Sequence, residues 1–392
     1  MTVTESASEP ATLLHDFIAE QHANVFARAF AVSTSQLPHS ADGEPELADH
    51  LLLTDTTGFI FQLFEREPKV VTKAGELEKW AAAQVVRKGS RQIQNTRELL
   101  ASYTGLSLVN HFGHRRMVSP KDPESLVGVI VYRVPAKARP FRVARFKRAR
   151  TNGAFVHILR DTDYFEIADH FVTPAELVDY FNFRRDMLLG WDPPTTAVSE
   201  TALIGQYLLE DFDSPPDQRL ERAARARRSP AAFEFSFVLD NLAAAIAAQE
   251  DDFADSDCYH ILSELSQLGR YDLRALAEQL RQALESVRAD RFELPYRMAS
   301  SRTGCGFLIL PVTREFHDRG YNALESLAHA SKHELDLERQ VAIGMWKDGE
   351  FVDFEWLFVS GPNAPEPSID ERLAQSYPFR RASDRRLPPI FT

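Results

Sequence analysis

The chain has 392 residues, with 45 Lys and Arg against 57 Asp and Glu, a formal net charge of −12. That balance excludes a protein whose whole surface binds nucleic acid, although a local basic groove can still form, because the field at a site is set by its nearby charges. Apolar residues at 44% and charged residues at 26% describe globular material of two or three domains, and no apolar run reaches the roughly 18 residues that span a bilayer.

The N-terminal "MTVTESASEP" lacks the apolar core of a secretion signal, and the two cysteines, Cys258 and Cys305, are far apart. A zinc site or a disulfide framework is therefore not expected. A reducing, cytoplasmic location is, with no membrane association. The 27 Phe predict well-packed aromatic interiors.

Along the chain, Leu13, Phe17, Ile18, Val25, Phe26 and Phe30 recur at helical spacing and predict a helix over 11–31. Strands are predicted at 47–54 and 58–66, the second alternating through Phe59, Phe61 and Leu63. A long helix over 74–105, rich in Ala, Gln, Glu and Arg, is interrupted only by Gly89 and closes on Gly105. "LSLVNHFG", "VGVIVYRV" and "GAFVHIL" read as strands, followed by an acidic turn. A helix over 173–188 then opens with Thr173, Pro174 and Glu176, a capping box with proline in the first turn. "GWDPPTTAVSE" marks a boundary, and helices dominate from about 219 to 289. The last third holds a strand at 306–312, a helix at 321–335 and a hairpin at 340–360 whose "KDGE" suits a type I′ turn. The Pro-rich segment after "GPNAPEPS" predicts a loosely held tail. Domains are thus expected at 11–190 (α/β), 191–290 (a helical linker segment) and 291–362 (small α/β), with a Pro-rich tail over 363–392.

Strand 58–66 ends in charge beside an upstream Asp49. Carboxylates on adjacent strand ends, with a third from a flanking helix, supply the oxygen ligands that Mg²⁺ takes, and a nearby cation stabilises charge building on phosphorus. In its order of elements the chain resembles the PD-(D/E)XK, or restriction-endonuclease-like, nuclease superfamily. The resemblance rests on Glu20 of the first helix, Asp49 of the first strand, Gln62 of the second and the basic, Gln-bearing "VVRKGSRQIQ" of the long helix. It covers about half the chain, and its motifs are loose. It implies a mixed sheet flanked by helices, with Glu20, Asp49 and Gln62 as metal ligands for Mg²⁺ and Asp49, Gln62 and Lys88 in catalytic positions. The departure is at the motif lysine, which is Phe64 here. Phenyl cannot carry a charge, so the cation must come from Lys88 or Arg91. Otherwise Glu65, Arg66, Glu67 and Lys69 form a displaced site, or catalysis is lost.

"KARPFRVARFKRAR" (137–150) holds seven basic residues and no acidic one. Basic side chains interleaved with Phe141 and Phe146 suit a phosphate backbone and unstacked bases. Arg139, Arg142, Arg145, Lys147 and Arg148, with Arg91, are the candidate nucleic-acid contacts. A strand whose arginines pair with the acidic surplus is the alternative. Arg184 and Arg185 either face the nuclease-like site or close their helix. No GxGxxG, P-loop, HExxH or GxSxG occurs. Cys305, between two glycines, reads as a buried small residue more readily than as a nucleophile.

The expected function is a nuclease-fold protein without an intact motif, a DNA-binding or scaffold component of a bacterial restriction or phage-defence system with DNA or protein partners. The alternative is an active Mg²⁺-dependent DNA endonuclease with a displaced lysine.

Overall fold

The computed structural model describes residues 25–34, 37, 47–66, 74–118, 126–135, 141–148, 154–190, 198–211, 216–226, 230–248, 256–362 and 377–379. The chain divides into two units. The first comprises residues 1–111, 117–171 and 177–228; the second comprises 112–116, 172–176 and 229–392. The helices predicted as a linker segment over 191–290 are therefore shared out: those before 228 group with the first unit and those after it with the second.

In the first unit, helix α1 (Val25–Phe30) leads directly into strand β1 (Ala31–Ser33) at the point where the predicted helix ends. Strands β2 (His50–Leu53) and β3 (Gly58–Glu65) follow as predicted. After β4 (Leu106–Val109) and β5 (Arg115–Val118) come β6 (Leu126–Arg133), β7 (Phe146–Arg148) and β8 (Phe155–Arg160). Among the described residues six of these form one mixed sheet, ordered β1-β2-β3-β6-β8-β7. Its centre, β3, β6 and β8, is parallel, and β1, β2 and β7 are antiparallel to their neighbours. Parallel neighbours need a crossover, and the long helix supplies the one from β3 to β6. The chain is thus a mixed α/β protein with helices flanking the sheet.

The long helix runs Ala74–Ala101 in three parts: α2 (Ala74–Trp80), a π-helical stretch (Ala81–Lys88) and α3 (Gly89–Ala101). It ends at Ser102, before Gly105, with Ser102 Oγ donating to the Leu99 carbonyl at 2.7 Å. The π stretch is marked by Gly89 N–H donating to Gln84 O. Four α-helical residues advance about 400°, so side chains spaced by four drift around the helix by about 40° each time. The π turns rotate less per residue and cancel that drift. Ala81, Val85, Gly89, Ile93 and Arg97, each four apart, are accordingly all buried. They seat on one face of the sheet, where Ile60, Ile130 and Ile158 are buried and Phe64 packs beside them. Arg97 ties the starts of β6 and β8 together: its Nη2 donates to Leu126 O at 2.7 Å and to Phe155 O at 3.3 Å. Burial lowers its pKa to about 10.

The opposite face carries the aromatics. Phe59 and Phe61 meet Phe181 and Tyr164 at ring-centroid distances of 6.0 and 5.8 Å. Tyr164 belongs to a helix, α4 (Asp161–His170), that the acidic composition disguises as a turn. The next helix, α5 (Pro174–Gly190), has the predicted capping box: Glu176 N–H donates to Thr173 Oγ1 at 3.1 Å and Thr173 N–H to Glu176 Oε2 at 3.4 Å. Helices α6 (Glu200–Leu209) and α7 (Gln218–Ala226) complete the unit.

The second unit holds helices α8 (Pro230–Ala247), α9 (Asp257–Ser266), α10 (Arg270–Arg288) and α11 (His317–Glu334). Its strands are β9 (Tyr296–Ala299), β10 (Cys305–Val312), β11 (Arg339–Asp348) and β12 (Phe351–Ser360), ordered β12-β11-β10-β9. The β11–β12 turn is centred on Gly349–Glu350, one residue later than Asp-Gly predicts, because Asp348 pairs with Phe351. Only Gly349 of the two has positive φ, at 59°, which fits a type II′ turn better than type I′. Neither Cys258 nor Cys305 forms a disulfide, and burial raises the pKa of Cys305, so it is an inert core residue.

An alanine Cβ at Gly89 would lie 2.8 Å from Phe64 Cε2 and 2.9 Å from Ile130 Cδ1. Helix propensity favours Ala by about 1 kcal/mol, whereas overpacking costs about 1–3 kcal/mol. We expect Gly89→Ala to lower stability in urea unfolding. A stabilised variant would mean that the helix rides higher off the sheet.

Candidate functional site

Asp49 and Gln62 meet. Asp49 immediately precedes β2, and its N–H donates to Phe61 O at 3.0 Å, setting it beside β3. Its Oδ2 accepts from Gln62 Nε2 and from the Leu63 backbone N–H, each at 2.7 Å. The stretch is held from two further sides. Thr34 Oγ1 donates to Ala48 O, and from the long helix Thr96 Oγ1 accepts from Ala48 N–H at 2.8 Å while Gln92 Nε2 donates to Leu47 O at 3.1 Å. Gln62 is 3% exposed, and its Oε1 is buried without a hydrogen-bond partner, as is Gln92 Oε1.

Alternation along β3 puts Ile60, Gln62 and Phe64 on the long-helix face. Phe64, where the resemblance expects a lysine, packs there against the helix at Gly89. Arg66, next on that face, stacks over Trp80 with its guanidinium carbon 5.7 Å from the ring centroid. Glu65 turns away toward Arg133, at 3.7 Å. Lys88 is half-buried at the end of the π stretch, and Arg91 is exposed. Glu20, Glu67, Lys69 and Arg139 lie outside the described residues. Among the described residues no three His, Cys, Asp or Glu side chains gather into a metal-binding group.

The basic segment divides. Arg142, Lys147 and Arg148 are exposed, the last two on edge strand β7. Arg145 does not join them. It turns inward, donating to Glu200 Oε2 at 2.5 Å and to Val198 O at 2.7 Å. Arg145, expected as a nucleic-acid contact, is half-buried and ion-paired with the buried Glu200.

Around Glu200 lies a charged network that the sequence does not reveal. Arg184, 0% exposed, donates from Nε to Glu200 Oε1 at 2.8 Å, and Tyr180 OH donates to the same oxygen at 2.5 Å. Arg184 Nη1 also lies 3.1 Å from His157 Nδ1. Arg184 therefore neither closes a helix end nor faces Asp49. Burial pushes the Glu200 carboxyl upward, but Arg184 and Arg145 outweigh it and hold its pKa below the ordinary value. Burial, then Arg184, drive His157 well below its usual range, so it is neutral. Burial, then the neighbouring Glu200, push Asp163 up to about 6. One local signal points to this network: Glu200 follows Ser199, a helix N-cap whose side chain accepts from Ala202 N–H at 3.1 Å.

No protein family, curated protein or solved structure matches the chain. No helix among the described residues is long and apolar enough to cross a membrane.

Two outcomes follow from the charges. Glu200→Gln leaves the buried Arg184 and the half-buried Arg145 without their counter-charge, and should cost about 3–5 kcal/mol in denaturant unfolding. A loss under about 1 kcal/mol would mean that water reaches the pair. Asp163 has a folded pKa above its unfolded one. Its favourable contribution is complete below the unfolded value near 4 and is lost as pH rises through about 6. Asp163→Asn should therefore stabilise by up to about 2 kcal/mol at pH 8, with the gain vanishing toward pH 4 in a pH series of melting curves.

Proposed function

We propose that the chain is a restriction-endonuclease-like α/β scaffold that binds nucleic acid, DNA above all, without cutting it. The observation that carries this reading is Phe64. An apolar ring packed against the long helix occupies the row in which a catalytic ammonium is needed, and the neighbouring Asp49 carboxylate oxygen is already engaged by two N–H donors. Asp49 then acts as a clasp between the start of β2 and the middle of β3. Nucleic acid would meet the exposed Arg142, Lys147 and Arg148 at the β7 edge. A place in a bacterial restriction or phage-defence system, alongside a protein partner, rests on the resemblance alone.

A second reading, a Mg²⁺-dependent endonuclease, is favoured by the unpartnered Gln62 Oε1 beside Asp49. In donor chemistry these residues fit the ion, because Mg²⁺ takes oxygen ligands and is often held by one or two carboxylates plus waters. Asp49 and Gln62, with Glu20, would hold it, and the ion would polarise a phosphate oxygen. Lys88 would be the displaced cation.

Fluorescence anisotropy with a short DNA duplex should give binding that weakens with salt. Changing Arg142, Lys147 and Arg148 together to Ala should reduce the slope of log K against log salt by about two to three. Plasmid incubated with Mg²⁺ or Mn²⁺ should stay intact with wild type and with Asp49→Ala. Cleavage by wild type alone would establish the second reading, and absence of binding to DNA and RNA alike would end both.

A further inference from the structure

Three residues of the Pro-rich C-terminal segment are described. Tyr377, Pro378 and Phe379 are seated on the second unit, and Phe379 is 2% exposed. Its ring joins Leu308, Leu310 and Val312 of β10 and Leu324 and Ala328 of α11. Arg297 of β9 lies over that ring, with the guanidinium carbon 4.1 Å from the centroid, and its Nη2 donates to Tyr377 OH at 2.6 Å. Tyr377 OH in turn donates to Glu334 Oε1 at 2.7 Å, and Arg297 holds both Glu334 oxygens. The proline between the two rings fixes φ and presents them at 83° to one another.

These contacts have the make-up of a peptide-binding groove. One aromatic fills an apolar hole, the second presents a hydroxyl to a charged pair, and a rigid proline spaces them. Arg297 and Glu334 also bond to each other directly, so the groups that receive the tail belong to β9 and α11. Burial pushes the Glu334 carboxyl up, but Arg297 and Tyr377 outweigh it and keep it below its ordinary range, so it is an acceptor at neutral pH. Three residues make a small contact. Residues 363–376 tether it, however, and a short tether gives an effective concentration of order millimolar, enough to keep even a weak ligand docked in cis.

We propose that the second unit carries a recognition groove for an aromatic–Pro–aromatic peptide, and that Tyr377–Phe379 is its resident, displaceable ligand. The groove opens to a partner protein bearing the same triad, once that partner outcompetes the tether. This inference stands apart from nucleic-acid binding.

The test uses the full chain with a protease site inserted within 363–376. After cutting and gel filtration, the body should retain its circular dichroism spectrum and lose the C-terminal fragment. A labelled peptide spanning residues 374–381 should then bind the cut body saturably, and the uncut protein at least about tenfold more weakly. Phe379→Ala in the peptide, or Arg297→Ala in the body, should weaken binding by at least about tenfold. The peptide variant keeps the test valid if the body variant misfolds. A fragment that stays bound through gel filtration, a body that unfolds once cut, or equal binding to cut and uncut protein would each overturn the proposal, because Phe379 would then be a fixed part of the core.

Discussion

The seat of the long helix on the sheet governs the rest of the first unit. At Gly89 the helix comes close enough for Phe64 and Ile130 to touch its backbone face, leaving no room even for a methyl group. That approach fixes which side chains of β3 face the helix, and so fixes Gln62 and Phe64 in one row. It also sets the height at which Gln92 and Thr96 reach the 47–49 stretch. The π-helical turns are part of the same constraint. They keep a strict four-residue row on the sheet over five positions, which a regular α-helix would rotate away.

The two faces of the sheet solve burial differently. The helix face is mainly aliphatic at its centre, with Phe64 and Trp80 packed beside it, and its charged groups include Asp49, Arg66 and Arg97, the last with Nη2 satisfied by strand-end carbonyls. The other face stacks aromatic rings and carries a full ionic network, with Glu200 accepting from two arginines and a tyrosine. Such a network adds little net stability against a well-packed apolar substitute, but it admits only one arrangement of its partners. It ties β8, α5 and α6 and the segment before β7 to a single carboxylate.

Periodicity makes the parallel strands, the long helix and the Thr173–Glu176 capping box legible in the sequence, because each is a local pattern that packing agrees with. What stays hidden depends on residues far apart in the chain. Nothing in "KARPFRVARFKRAR" distinguishes Arg145 from Arg142: their fates diverge because Glu200, beyond a proline-rich stretch that reads as a boundary, reaches back to one of them. Likewise the tail's proline content averages away the buried ring of Phe379. Helix α4 is hidden because Asp161, Asp163 and Asp169 read as turn residues, although Tyr164 and Ile167 carry its buried face. The Asp49–Gln62 meeting is legible as a spacing. That their bond leaves Gln62 Oε1 without a partner is not, because it depends on which way one amide points.

The proposed nuclease-like reading turns on what position 64 can hold. Its side chain lies in the closest part of the helix–sheet contact, beside Gly89 and the Ile130 row. An ammonium placed there would be desolvated on an apolar wall, with several kcal/mol to recover from whatever anion it met. A lysine at 64 therefore requires the helix to stand off the sheet or its stem to run out past Arg66 to solvent. The first change would remove the close approach on which the Ala81–Arg97 row depends. The phenyl ring and the glycine opposite it thus fit one another: together they seat the helix tightly on the sheet and leave no room there for an ammonium, while the Asp49 carboxylate holds the start of β2 to the middle of β3.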